Sequence, residues 1–285
     1  MKIIVVDYGA GNLASVVNAL ERVGAPVVVS RDPAALDEAD GVIVPGVGAA
    51  ADTMRHLSEL GFVPRLRATI ERGVPFLGIC MGLQVLLEVS YEGGEHRCLG
   101  IVPGVVRRLP EQVTVPHMGW NEVRLRRPHP LFAGIPDGTD FYFVHSFYAE
   151  PSDDAWILGE TDYGVRFASV LARGNVMATQ FHPEKSGRWG LRVLENFVTL
   201  VERTPGIAGR GGDVGGRVRG RSGPGRSAHP AVVRVRHLQH RLAGRPVDAG
   251  IRGAHGSVGA LGRGQRRHVV GGGGEAQPHR GQGDH

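Results

Sequence analysis

Phe76-Leu77-Gly78-Ile79-Cys80-Met81-Gly82-Leu83-Gln84 reads as an apolar strand that runs through G-x-C-x-G into a helical stretch over residues 83–89. A strand that turns straight into a helix around a nucleophile is the elbow that many hydrolases build with serine, here carrying cysteine. Glycines two before and two after Cys80 let the backbone turn sharply. The thiol then projects from the sheet edge, facing the next N–H groups and a helix N-terminus. A free thiol ionises near pH ~8.5 and needs such help to act as a nucleophile at neutral pH. The competing reading is a buried structural cysteine between two packing glycines. Cys98 has no comparable surroundings and is assigned no role.

Upstream of the elbow, residues 2–6 are a β-branched run, followed by a Gly9-Ala10-Gly11 turn and the helical spacing Leu13, Val16, Val17, Leu20. Residues 27–29, 32–40 and 42–44 continue a βαβαβ order, and residues 75–79 follow a helix that ends at Gly73. This alternation predicts an α/β fold with a mostly parallel central sheet and helices on both faces. Active sites of such sheets lie at the strand carboxyl ends. Shorter strands are expected at 102–108, 122–125, 141–144, 156–160, 165–171 and 175–180, and a helix over 190–203 closes the domain.

The charge is unevenly placed along the 285 residues. Residues 204–285 carry 14 Arg and no Lys against 4 acids, and hold 22 of the 44 glycines without a Phe, Tyr, Trp, Met or Cys. Residues 1–203 carry 19 bases and 24 acids, so the part able to fold is mildly acidic although the whole chain is basic. The chain thus divides into a domain over 1–203 and a tail over 204–285 that cannot build a core and is expected to be disordered on its own. Three readings of the tail stay open: a basic arm for anionic partners, an inert flexible segment, and a GC-rich frame read out of register after Pro205. The last is favoured by the dominance of Arg, Gly, Pro, Ala and His. No apolar run of about 18 residues could span a bilayer, and the N-terminus has no export signal, so a cytoplasmic location is expected. The two cysteines form no disulfide framework, and no Cys/His cluster has zinc-ligand spacing.

Far downstream stands Thr179-Gln180-Phe181-His182-Pro183-Glu184-Lys185-Ser186, at the end of an expected strand. In extended chain, residues i and i+2 point the same way, so Glu184 can reach the His182 imidazole while Pro183 restrains the backbone between them. The carboxylate would orient the ring, and the ring would take the thiol proton and later deliver it to the leaving amine. His-Pro-Glu alone is a common surface turn; paired with the elbow it becomes a candidate Cys80–His182–Glu184 triad.

With these two motifs the chain resembles the class I glutamine amidotransferases. Asp7-Tyr8-Gly9-Ala10-Gly11-Asn12, Pro45-Gly46-Val47-Gly48, Pro116-His117-Met118-Gly119-Trp120-Asn121, Tyr142-Phe143-Val144-His145-Ser146-Phe147 and His182-Pro183-Glu184-Lys185-Ser186 narrow the likeness to the glutaminase subunits of imidazole-glycerol-phosphate synthase. The resemblance covers essentially all of residues 1–203 and none of 204–285. It implies the flavodoxin-like fold of that family, hydrolysis of glutamine without metal or organic cofactor, and a heterodimer in which a cyclase subunit receives the ammonia.

The resemblance further implies that Val47 and Met81 donate N–H groups to an oxyanion, and that Gly46 and Gly48 border the bound substrate and allow the loop to flip. That loop is expected to stay misaligned until the loaded partner binds. Gln84, His145, Ser146 and Phe147 correspond to the family's wall around glutamine, and many relatives carry Tyr where Phe147 stands. Asn12, Trp120, Asn121 and Lys185 correspond to the surface facing the cyclase. Two alternatives remain from sequence: the glutaminase of another amidotransferase, as in pyridoxal-phosphate, anthranilate or guanylate synthesis, and a non-catalytic nucleic-acid-binding protein acting through the tail.

Overall fold

A computed structural model describes residues 1–9 and 11–204. The expectations for Ala10 and for residues 205–285 lie outside the described residues. The element order is β1 (Ile3–Val6), α1 (Leu13–Arg22), β2 (Val27–Ser30), β3 (Gly41–Val44), α2 (Ala50–Glu59), α3 (Phe62–Glu71), β4 (Phe76–Ile79), α4 (Met81–Gln84), β5 (Val89–Ser90), β6 (His96–Arg97), β7 (Gly104–Arg108), β8 (His117–Leu125), β9 (Thr139–His145), β10 (Phe147–Pro151), β11 (Ile157–Asp162), β12 (Arg166–Arg173), β13 (Val176–Thr179) and α5 (Gly187–Arg203).

Strands β2-β1-β3-β4-β13 lie side by side in parallel. Antiparallel β12 follows, then β10, β7, β5 and β6, while β11, β8 and β9 branch from β12. Every residue of β1, β3, β4 and β13 is buried. Both faces of these strands are covered, so their sequences are continuous apolar runs rather than alternating ones. On one face Leu57, Phe62 and Leu66 of α2 and α3 pack with Val6 and Val44. On the other, Val16 and Leu20 of α1 and Val193 and Phe197 of α5 pack with Ile43 and Leu77.

The register positions the site. Val44 pairs with Gly78 and Ile79 with Thr179, so β3, β4 and β13 end level. The segments that leave them, 45–48, Cys80 and 180–184, therefore meet at one sheet edge, and the Cys80 N–H donates to the Thr179 carbonyl at 2.7 Å.

Two expectations are corrected. Residues 32–40 hold a 3₁₀ turn, Pro33–Glu38, rather than a full helix. The helix expected over 83–89 is the single turn α4, because the carbonyls of Val85, Leu86 and Leu87 accept N–H groups of residues 99–102 at 2.8–2.9 Å instead of extending a helix. Val89 joins β5.

Candidate active site

Cys80 links β4 to α4 at φ 54, ψ −103; among the described non-glycine residues only Asn12 also has a positive φ, and its ψ of 4 is the ordinary left-handed one. Holding a residue with a Cβ there costs on the order of 1–3 kcal/mol. The flanking glycines play a different part from the one expected. Neither has a positive φ; each makes room. A Cβ on Gly82 would lie 1.9 Å from the Val44 carbonyl oxygen, and one on Gly78 2.5 Å from the Gly82 carbonyl oxygen. The turn itself is carried by Cys80.

The imidazole of His182 is almost wholly buried and its Nδ1 lies 2.8 Å from Glu184 Oε1. The backbone route differs from the extended i, i+2 arrangement, because Pro183–Lys185 is a 3₁₀ turn. Proline suits the first position of such a turn. The turn is closed by the Lys185 N–H and the Ser186 hydroxyl, which donate to the His182 carbonyl at 3.0 and 2.7 Å. Glu184 Oε1 also accepts from Asn12 Nδ2 at 2.6 Å, and Glu184 Oε2 is buried without a partner.

Burial pulls the pKa of His182 down, but the nearby Cys80 sulfur and the hydrogen-bonded Glu184 carboxylate outweigh that and hold it at about 9. Nε2 thus feels the thiol, although it stands out of hydrogen-bonding alignment with it. Apo sites often hold such looser contacts that tighten with substrate. The Cys80 sulfur receives an N–H of Gln180 at 3.7 Å and lies 4.0 Å from the Val144 carbonyl.

A cleft of about 250 Å³ opens beside Cys80 and Met81, walled by Val47, Gly48, Gln84, His145, Ser146 and Phe147. Gly46, expected at the substrate, lies behind this wall instead. A Cβ there would fall 2.1 Å from the Tyr8 hydroxyl and 2.9 Å from the Met81 Cβ, so glycine is required by packing. Gly48 adopts φ +100, and the Met81 N–H donates to the Gly46 carbonyl at 3.3 Å. Gln84 Nε2 donates to the Phe147 carbonyl at 2.8 Å and to Gln180 Oε1 at 3.1 Å, leaving its own Oε1 buried and unpartnered. Among the described residues no cluster of His, Cys, Asp or Glu is arranged to hold a metal ion, and no helix is long and apolar enough to cross a membrane.

Residues 4–201 match the family model for class-I glutamine amidotransferases. The chain belongs to that family. It is 55% identical over 207 residues to imidazole glycerol phosphate synthase subunit HisH of Moorella thermoacetica, covering 73% of this chain and 98% of the relative. The subunit of the same name from Herpetosiphon aurantiacus is 52% identical over 209 residues, covering 73% and 99%. The fold of this amidotransferase is also that of a chain in the PurLQS structure of Thermotoga maritima, at 19% identity, TM-score 0.56 and coverage of 70% and 98%.

The residues expected to face a partner divide into two kinds. In this amidotransferase Trp120 is 58% exposed and Met118, on the same face of β8, 62% exposed, and Lys185 is exposed beside Glu184. Asn121 is half-buried and hydrogen-bonded to His117 and to the Asp162 carbonyl. Asn12 is half-buried and its amide is engaged by Glu184.

Three residues at the site escaped the sequence reading. Gln180 stands two positions before His182 in the motif already quoted, and period-two reasoning applied backwards reaches it. Glu92, a carboxylate on the cleft wall held by the Ala50 N–H at 2.8 Å, follows Cys80 with no local signal. His117 lies in a motif read only for its neighbours.

Proposed function

We propose that this chain hydrolyses glutamine to glutamate and ammonia, as the glutaminase subunit of an imidazole-glycerol-phosphate synthase in histidine biosynthesis. The observation that carries this reading is Cys80 on the wall of a cleft, with the buried His182–Glu184 pair beside it, in a chain more than half identical to HisH subunits over almost their whole length. With the thiol proton already held on His182 Nε2, Cys80 Sγ attacks the γ-carbonyl carbon of glutamine, and Glu184 holds the ring from Nδ1. The C–N bond then breaks, His182 returns the proton to the leaving ammonia, and a γ-glutamyl thioester remains on Cys80. Water activated by the same imidazole hydrolyses it to glutamate and restores the thiol.

The N–H groups of Val47 and Met81 would stabilise the tetrahedral oxyanion. The Met81 N–H is held by the Gly46 carbonyl, which supports a resting loop that must rearrange and a low activity without the partner. Gln84 Oε1 offers an acceptor to the substrate, and the Glu92 carboxylate suits its α-ammonium group.

The partner in this reading is a (β/α)₈-barrel cyclase, bound as a heterodimer in the cytoplasm against the exposed face of β8, Trp120 and Lys185. Ammonia passes to it without release. The cyclase combines it with a phosphoribulosyl-formimino aminoimidazole carboxamide ribonucleotide to give imidazole glycerol phosphate and aminoimidazole carboxamide ribonucleotide. The glutaminase domain is assigned to residues 1–203; mass spectrometry of the native protein would show whether 204–285 accompany it. The functional test is glutamate release by the full chain, alone and with the cyclase and its nucleotide. A large rise only with the loaded cyclase is expected, and activity indifferent to the cyclase would return the pathway to the other amidotransferases. Cys80→Ala should abolish turnover while leaving cyclase binding intact.

A further inference from the structure

Two buried histidines, His145 on the cleft wall and His117 behind it, have ring nitrogens that the chemistry above does not use. His117 of β8 pairs directly across from His145 at the end of β9. His145 Nδ1 lies 2.9 Å from the Phe147 carbonyl oxygen, and its Nε2 lies 2.9 Å from His117 Nδ1. His117 Nε2 in turn lies 3.2 Å from Asn121 Nδ2.

This chain admits one arrangement of protons. A carbonyl oxygen only accepts, so His145 carries its hydrogen on Nδ1 and accepts at Nε2. His117 must then donate from Nδ1 and accept at Nε2, which matches the amide nitrogen facing it. The far end sets the same direction independently. Asn121 Nδ2 also donates to the Asp162 carbonyl at 3.0 Å, and Asn121 Oδ1 accepts the Glu122 N–H at 2.8 Å, so the amide cannot be reversed. A charge on either ring would set one N–H against another. Burial acts in the same sense, pushing His117 down to about 4 and His145 to about 3.

At the cleft the Phe147 carbonyl takes a second hydrogen bond, from Gln84 Nε2 at 2.8 Å. The amide face that Gln84 presents to a ligand is therefore set by the same carbonyl that His145 anchors. We infer that His117 is a positioning residue for glutamine: by donating to His145 it holds that ring as the Nδ1–H tautomer, and through the Phe147 carbonyl it orients Gln84 toward the substrate. The inference rests on the glutaminase reading above.

His117 is also a packing element, stacked on Tyr163 at 3.9 Å and on Phe143 at 4.9 Å between ring centroids, and two variants separate the roles. His117→Phe keeps a stacked ring and loses the donor; His117→Asn loses the stack and keeps an amide N–H near the Nδ1 position. In the full chain with its cyclase and nucleotide, His117→Phe should raise the glutamine KM about tenfold, the equivalent of one buried hydrogen bond, with kcat changed less. His117→Asn should recover most of that loss. A greater loss in Asn than in Phe, or an unchanged KM in Phe, would overturn the proposal. Histidine ¹⁵N NMR of the full chain reads the tautomers without any activity. Two neutral Nδ1–H rings are expected, and His145 as the Nε2–H form would overturn the inference even if the glutaminase reading holds. Absence of glutaminase activity in the unmutated complex would instead fell that reading and leave the tautomer result to stand alone.

Discussion

Asn12 separates catalysis from folding in one side chain. Its amide donates to Glu184 Oε1 at 2.6 Å, and its backbone sits in the left-handed region at φ 69, ψ 4. Asn12→Gly removes the hydrogen bond and suits that backbone. Asn12→Ala removes the same bond and adds about 1 kcal/mol of left-handed strain. A hydrogen bond to a charged group contributes about 1.5–3 kcal/mol, and Glu184 Oε1 is the oxygen that orients His182. If that orientation is lost in the transition state, kcat falls about 10- to 100-fold, one decade for each ~1.4 kcal/mol. The fall should be the same in both variants. Their melting temperatures should differ, with Ala about 2–4 °C below Gly for a domain of this size. Asn12→Asp is harsher: two carboxylates about 3 Å apart repel by about 5 kcal/mol at an effective dielectric of about 20, so it should be the least active of the three. Glutamate release at saturating glutamine in the cyclase complex, with thermal unfolding of each variant, reads both quantities. An Asp variant as active as the unmutated protein would refute the reasoning, and so would a kcat gap between Gly and Ala.

Three further outcomes follow from the same geometry. His182 binds its proton more tightly folded, at about 9, than unfolded at about 6.5. Its contribution to stability is therefore complete below about 6.5 and fades as pH rises toward 9. Denaturant unfolding should show the advantage over His182→Gln narrowing across that window, and a constant gap would contradict it. Cys80→Gly should be more stable than Cys80→Ala by about 1 kcal/mol, because alanine keeps the strain at φ 54; equal denaturation midpoints would show the elbow unstrained. Gly82→Ala would set a Cβ 1.9 Å from the Val44 carbonyl oxygen, a backbone atom with no room to yield, and should cost about 3 kcal/mol or leave the protein insoluble; a variant of normal stability would refute the packing argument.

Much of the fold was legible because its central strands are read locally. Residues 3–6, 41–44, 76–79 and 176–179 are short apolar runs, and a parallel strand covered on both faces carries no other signal. The helix over 83–89 was misread for a reason no local pattern contains. Its carbonyls are claimed by residues 99–102, and competition for a backbone acceptor is settled only when distant chain arrives. The turn at Pro183–Lys185 was likewise read as extended, since the Ser186 hydroxyl that helps close it acts through the tertiary placement of β9, whose Tyr142 N–H it accepts.

The candidate site divides in the same way. Taken by itself, the sequence determined which residue types were available and in what order: a cysteine between glycines after an apolar run, and a histidine and a glutamate flanking a proline a hundred residues later. Side-chain chemistry and period-two spacing are local properties, so these could be read from the letters. Only the tertiary structure decided that Asn12 bonds Glu184, that Gln180 reaches the Cys80 sulfur, and that Glu92 stands on the cleft wall. It also decided that the glycines beside Cys80 serve packing while Cys80 itself makes the turn. The reach of Gln180 to Cys80 and the packing of Gly82 on Val44 depend on the register of β3, β4 and β13, which ends the three strands level, while Asn12 and Glu92 are brought in by the segments that follow β1 and β5.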